Sequence, residues 1–386
     1  MRGHVDRQQS MFIALNLEEK IPPDHPLRPI KQWCDQVLAS MRWDFEAAYS
    51  HTGKPGIPPE QMLKGLLLQA LYSIRSERKL MEAIDFNLLY RWFLDLPVDA
   101  PVWTPEAYSV NRERFIEHGL VRTFFDKVVQ QAWNKRLISE DHFTVDGTLI
   151  RSLASHKSIE AKDKRTKAAK AQQDQNDDDD PNQPGDGGRD TLKNWRGQRL
   201  SNATHHSRTD PEALLARKGF GKEAQLCHSG HVLMDNRGGL CLDIRVGYAD
   251  GHAEREHALE MLDHVRRRHR LRPKTTGFDA GYDDGAFLCQ VERRDIKPHV
   301  PVRKGRIKAT DEAGEARRRA RRRAQTAGYR LSQRVRKRVE QIIGWTKTNG
   351  QLTRTRFLGH ERIELEALVT GAAYNLLRMT RLTMAG

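Results

Sequence analysis

Three acidic residues, far apart in the chain, have the types and settings that metal-assisted phosphate chemistry needs. Asp146 lies in Thr144-Val145-Asp146-Gly147-Thr148, Asp279 in Phe278-Asp279-Ala280-Gly281-Tyr282-Asp283, and Glu340 in the strongly basic run from Arg330 to Lys347. If the three carboxylates converged without a cation they would repel, and one or more would take up a proton. Two Mg²⁺ ions about 3.5–4 Å apart would remove that penalty, with Mn²⁺ as a substitute, because an all-oxygen ligand set suits hard octahedral ions. Ions so held activate a water or a 3′-hydroxyl and stabilise the leaving oxygen of an in-line phosphoryl transfer. Taken singly, each acid has a plainer reading. An aspartate ending a strand is commonly a turn or cap residue, and a helical glutamate among arginines is commonly a solvated ion pair. The joint order of strand-Asp, strand-Asp and helix-Glu in a basic chain carries the expectation.

These side chains need elements to position them. The stretch 141–150 is rich in β-branched residues and reads as a strand, with Asp146 expected at its end. Two apolar runs joined by Asn236-Arg237-Gly238-Gly239 read as a β-hairpin. A helix follows, with Ala258, Leu259, Met261, Leu262 and Val265 towards the core, then a strand ending near Asp279, a short helix over 285–295, and another strand from Lys297. This order predicts a mixed α/β sheet in which the first and fourth strands lie side by side and bring Asp146 and Asp279 together. A continuous helix through Arg330–Lys347 would bury Val335, Val339 and Ile342 on one face. It would set Arg336, Glu340 and Lys347 within an arc of about 40° on a neighbouring face.

Composition points to the partner. The 386 residues carry 66 Lys and Arg against 51 Asp and Glu, a formal charge of +15, and a pI near 9.7. Such an excess favours a polyanion, because each neutralised phosphate releases condensed counterions. The basic segment Arg317, Arg318, Arg319, Arg321, Arg322 and Arg323 is a candidate for tracking a phosphate backbone, or else a disordered basic loop. Cys34, Cys227, Cys241 and Cys289 form no CxxC pair, which argues against a disulfide framework and a cysteine zinc site. No signal peptide and no long apolar span is evident, so a soluble cytoplasmic protein without membrane contact is expected.

Residues 25–135 read as wholly helical, with Ser76 and Thr104 as N-caps, Pro105 at a first helical position and Gly119 as a stop. Short helices with tight connections suit a helix-turn-helix-like module whose Tyr108, Asn111, Arg112 and Arg114 face DNA, or an ordinary bundle with one polar helix face. The polar tract from about 160 to 205 reads as a flexible insertion, and its acid run Asp177–Asp180 lacks the alternation of a calcium loop. His228 and His231 would point to opposite faces of a strand, and with Cys227, His252 and His257 they fit no common zinc spacing. Trp345 is expected as a core residue, with base stacking as the alternative.

At these residues the chain resembles the DDE transposases of bacterial insertion sequences, in the group that includes insertion sequence family five. That group carries its third acid in Tyr-x2-Arg-x3-Glu-x6-Lys; here the run is Gln333-x2-Arg336-x3-Glu340-x6-Lys347, with glutamine in place of tyrosine. The Asp146 and Asp279 segments resemble the first- and second-acid motifs, with Ala280 where the group commonly has lysine. The helical stretch from Glu60 to Leu96 resembles the group's N-terminal domain. The resemblance implies an all-helical N-terminal domain at 1–135 that binds DNA ends, a ribonuclease H-like catalytic domain at 136–360, and a C-terminal helix at 361–386. It further implies cleavage of transposon ends in double-stranded DNA and joining of the 3′-hydroxyls to target DNA, in a homodimeric, nucleoid-associated complex. Arg336 and Lys347 would hold phosphates. A nuclease without strand transfer and an inactive DNA-binding relative are the alternatives.

Overall fold

The computed structural model describes residues 15–50, 52, 56–162, 191–193, 199–219, 222–251, 253–303, 305, 307 and 310–384. The helical region comprises α1 (Leu17–Lys20), α2 (Leu27–Ala39), α3 (Arg42–Ala48), α4 (Pro59–Leu71), α5 (Glu77–Phe86), α6 (Leu88–Phe93), α7 (Pro105–Glu117) and α8 (Leu120–Asn134). Its boundaries follow the capping chemistry: Ser76 Oγ accepts from Lys79 N at 3.1 Å, and Thr104 Oγ1 from Ala107 N at 3.3 Å. Gly119 turns the chain between α7 and α8 at φ +59°, a conformation open to glycine.

The sheet follows. Its strands are β1 (His142–Arg151), β6 (Leu214–Ala216), β7 (Gln225–Asp235), β8 (Cys241–Tyr248), β9 (Thr275–Gly277) and β10 (Lys297–His299). They run in the order β10-β9-β1-β7-β6, with β8 also pairing β7. β10, β9 and β1 are parallel, while β7 is antiparallel both to β1 and to β8, to which the hairpin at Asn236 joins it. This is the mixed α/β sheet expected of a ribonuclease H-like domain, and the first and fourth strands do lie side by side.

Helices α9 (Ala253–His269), α10 (Gly285–Glu292), α11 (Glu312–Arg323), α12 (Ala327–Arg336), α13 (Val339–Thr348) and α14 (His360–Met384) complete the chain. α14 packs against α2, α4, α8 and β8, so a single hydrophobic cluster runs from Ile21 to Met379 through both helices and sheet. Its Asn375 side chain both accepts from Cys241 N at 2.8 Å and donates to Cys241 O at 2.7 Å, satisfying the edge of β8 as a further strand would.

Three expectations change. Asp146 stands in the middle of a ten-residue strand, not at its end. The run Arg330–Lys347 is two helices that meet at Lys337–Arg338. The basic segment Arg317–Arg323 is the helix α11, not a loop. In the insertion, residues 163–190 and 194–198, with the Asp177–Asp180 run, lie outside the described residues. Its described flanks are ordered: β2 (Ile159–Ala161) pairs β5 (His205–Ser207), and β3 (Thr191–Lys193) pairs β4 (Arg199–Ser201). Among the described residues, no helix is long and apolar enough to cross a membrane.

Candidate active site

Parallel pairing of β1 with β9 sets the first two acids. Phe143 stands opposite Thr276 and Thr144 opposite Gly277, so two residues further on Asp146, still within β1, comes level with Asp279, just past the end of β9. Val145 is fully buried, and the alternation of strand side chains turns its neighbour Asp146 to the other face. β9 continues to Phe278, whose N–H donates to His299 O at 3.0 Å. Asp279 then caps a short 3₁₀ turn by accepting from Gly281 N at 2.8 Å.

Glu340 reaches the same region from the first turn of α13, and Val339 and Ile342 are buried beneath it. The bend before α13 is fixed by the hairpin turn. Asn236 Nδ2 donates to Val335 O at 3.0 Å, Arg338 Nη1 donates to Asn236 O at 2.7 Å, and Thr144 Oγ1 donates to Asn236 Oδ1 at 2.7 Å. Asn236 thus ties the corner between α12 and α13 to the strand that carries Asp146. Gln333, at the position of the signature tyrosine, donates from Nε2 to His299 O at 3.1 Å and holds β10 against α12.

Arg336 Nη1 lies 3.2 Å from Asp146 Oδ2, while Asp146 Oδ1 accepts from Gly147 N at 2.9 Å. Burial pushes the Asp146 carboxyl above the usual range against the pull of Arg336, and the charges of Asp279 and Glu340 push it the same way. The three acids therefore share one electrostatic neighbourhood, although their oxygens do not all come within 4.8 Å of one another. An all-oxygen set, in which Arg336 offsets part of the like-charge repulsion on Asp146, fits a divalent cation of the Mg²⁺ class.

A further acid, not foreseen from the sequence, approaches β1 from the face opposite the Asp146 side chain. A Cβ on Gly147 would stand 3.4 Å from Glu254 Oε1 and 3.5 Å from His231 Nδ1. Tyr282, fully buried, lies near the same group: burial first, then the charges of Glu254, Asp279 and Asp146, hold its hydroxyl well above the usual range. The signal was available in α9, whose first turn carries Glu254 just after a strand pair. His231 opposes Gly147 across β1 and β7 and is buried, with its pKa pushed down to about 3 by burial and by His257.

Other expected residues sit elsewhere. Lys347 lies two helical turns beyond Glu340, roughly 10 Å along the axis. Burial, and then Lys218, hold its ammonium below the usual range. On α7 the face expected towards DNA is turned inward. Tyr108 is fully buried, Asn111 and Arg112 are buried, and Arg114 lies over the Tyr49 ring at 4.6 Å. Asn111 accepts from Tyr49 Oη, and Arg112 pairs with Glu77 and Glu113, so these polar groups serve the bundle. On α11, Arg317 pairs with Asp283, Arg318 with Glu315, and Arg319 and Arg323 with Glu292. Arg321 donates to Arg303 O and Gly305 O, whereas Arg322 is exposed. Trp345 is half-buried against Tyr374.

Comparison with known protein families gives two matches. A model described as a transposase domain matches residues 15–114, and one described as a transposase DDE domain matches residues 203–376. The second spans Asp279 and Glu340 and begins after the strand of Asp146. No curated protein and no solved structure matches the chain. With transposase models matched over its helical region and over most of its sheet region, and with the mixed sheet that such a domain requires, the chain belongs to the DDE-type transposases of insertion sequences.

Proposed function

We propose that the protein cleaves the ends of an insertion sequence of the family five-like group and joins the freed 3′-hydroxyls to target DNA at one site. Asp146, Asp279 and Glu340 hold the divalent ions, two Mg²⁺ or Mn²⁺ in their place. When bound, those ions supply the activated water or 3′-hydroxyl and the charge that stabilises the leaving oxygen. The chain's own part is positional. The β1–β9 pairing presents the two aspartates, the Asn236 corner presents the glutamate, and Arg336 restrains the Asp146 carboxylate while adding positive charge for a DNA phosphate. Lys347, further along α13, extends that charge towards the flanking backbone. The active complex is a homodimer on double-stranded DNA, associated with the nucleoid.

The observation that supports this reading is the register of β1 against β9, in which Thr144 opposes Gly277, two residues before Asp146 and Asp279 respectively. The test is to incubate the protein with end-containing DNA, Mg²⁺ and a target plasmid. Joined products are expected. Cleavage without joining would assign a nuclease, and binding without cleavage an inactive relative.

A further inference from the structure

A second donor group lies on the other side of the sheet domain, where α8 meets α9. Asp126 projects from α8, and His264 and His269 from the last turns of α9. His264 Nε2 is 3.0 Å from Asp126 Oδ1, and His269 Nε2 is 3.7 Å from the same oxygen. The three donor atoms all fall within 4.8 Å of one another. The two imidazoles meet edge to face, with centroids 6.1 Å apart and planes at 79°.

His269 is the informative member. It is 3% exposed, and neither ring nitrogen has a hydrogen-bond partner among the described residues. At 3.7 Å its Nε2 is too far from Asp126 for a hydrogen bond. A buried ring nitrogen without a hydrogen bond costs about 1–3 kcal/mol, and here the nearest charged group, Asp126, stands just beyond hydrogen-bond reach, a gap that a shared ligand would close. Four-coordinate zinc, with bonds of about 2.0–2.2 Å, sets its donor atoms about 3.3 Å apart. The 3.0 and 3.7 Å separations from Asp126 straddle that value, and the two imidazole nitrogens lie within 4.8 Å of each other. Two imidazole nitrogens and one carboxylate oxygen suit an ion of the zinc class and not magnesium. Arg268 Nε lies 3.4 Å from the other oxygen, Asp126 Oδ2, where it would orient the carboxylate as an outer partner. The His264 side chain, 17% exposed, leaves a path for a solvent fourth ligand.

We propose that Asp126, His264 and His269 form a structural site for a zinc-class transition metal that staples α8 to α9, distinct from the acids at Asp146. The alternative is a metal-free clamp in which a protonated His264 pairs with Asp126. The test uses the full chain freed of metal and titrated with Co²⁺, then Zn²⁺. The expected result is visible tetrahedral Co²⁺ absorption displaced by one equivalent of Zn²⁺, with a rise in Tm on Zn²⁺ addition. Both signals should be retained in Asp146→Asn and weakened at least about 100-fold in His269→Gln. Because His269 is buried, the partly exposed His264→Gln provides a second variant, checked for native circular dichroism. Absence of tetrahedral absorption in the wild type would overturn the proposal. So would absorption that survives His264→Gln, or that disappears with Asp146→Asn.

Discussion

Arg336 and Asp146, 190 residues apart, meet through a guanidinium nitrogen 3.2 Å from a carboxylate oxygen at the centre of the sheet. The contact joins the signature helix directly to the first acid and leaves Arg336 Nε buried without a partner. Arg336→Gln should lower single-turnover cleavage by about 10- to 100-fold. Arg336→Lys should recover only part of it, because an ammonium lacks the planar fork that serves a carboxylate and a phosphate together. Equal rates for wild type and Arg336→Gln would remove the residue from the site.

Each of Asp146→Asn, Asp279→Asn and Glu340→Gln should reduce cleavage by more than about 100-fold while DNA affinity changes little. Gel-based cleavage beside fluorescence anisotropy separates the two effects. A variant that still cuts at the wild-type rate loses its place among the ion-holding acids.

Asn236 should behave as a positioning residue. Asn236→Ala removes the acceptor of the buried Thr144 Oγ1, at a cost of about 1–3 kcal/mol, and one donor to the Val335 carbonyl, which keeps Arg338 N at 2.9 Å. Asn236→Asp keeps an acceptor for Thr144 but has no donor for Val335. It should therefore lose cleavage out of proportion to its fall in Tm, measured by thermal denaturation and the cleavage assay on the same preparation.

Neighbouring arginines on α11 should divide by role. Arg322 is exposed, and Arg322→Ala should weaken DNA binding and flatten the salt slope by about one. Arg323 is paired with Glu292, and Arg323→Ala should instead lower Tm with little change in slope. Identical slopes for wild type and Arg322→Ala would rule out a phosphate contact there.

Glu366 gives the protein a pH dependence near neutrality. Burial pushes its carboxyl up to about 7, against the nearby Arg356 and the hydroxyl of Thr355. An acid with a raised folded pKa contributes stability that is full below its unfolded value, 4.5, and is lost as pH rises through about 7. The wild-type Tm should fall across that window, and Glu366→Gln should flatten the fall, as followed by calorimetry. Parallel curves for the two proteins would contradict the assignment.

The pairing of the first and fourth strands was legible because β1, the β7–β8 hairpin with its Asn-Arg-Gly-Gly turn, β9 and β10 were marked by composition, whereas the three-residue β6 was not. The side-by-side placement of Asp146 and Asp279 followed from that pairing. The bend at Lys337–Arg338 was not legible, since arginine, lysine and valine there carry no breaker signal. It is imposed by Asn236, a residue about 100 positions earlier in the chain. Charge counting overstated the free cations on α7 and α11 for a related reason. A sequence displays Arg112, Arg317, Arg319 and Arg323 as free cations, but their partners Glu77, Asp283 and Glu292 become visible only after folding. Tyr108 looked like a contact residue, yet Gly65 leaves room for it: a Cβ there would stand 3.1 Å from the Tyr108 hydroxyl.

The joint at Lys337–Arg338 alters what the Arg-x3-Glu interval measures. On an unbroken helix, one inserted residue would swing the glutamate by about 100° relative to the arginine. Here Lys337 and Arg338 keep helical dihedrals but tighten the turn, with Arg338 N donating to Val335 O at 2.9 Å and Glu340 N to Lys337 O at 3.1 Å, and Asn236 holds that turn from outside the helix. The aim of the glutamate relative to the arginine is therefore set jointly by the interval and by the hairpin, and a change of length in either would misdirect it.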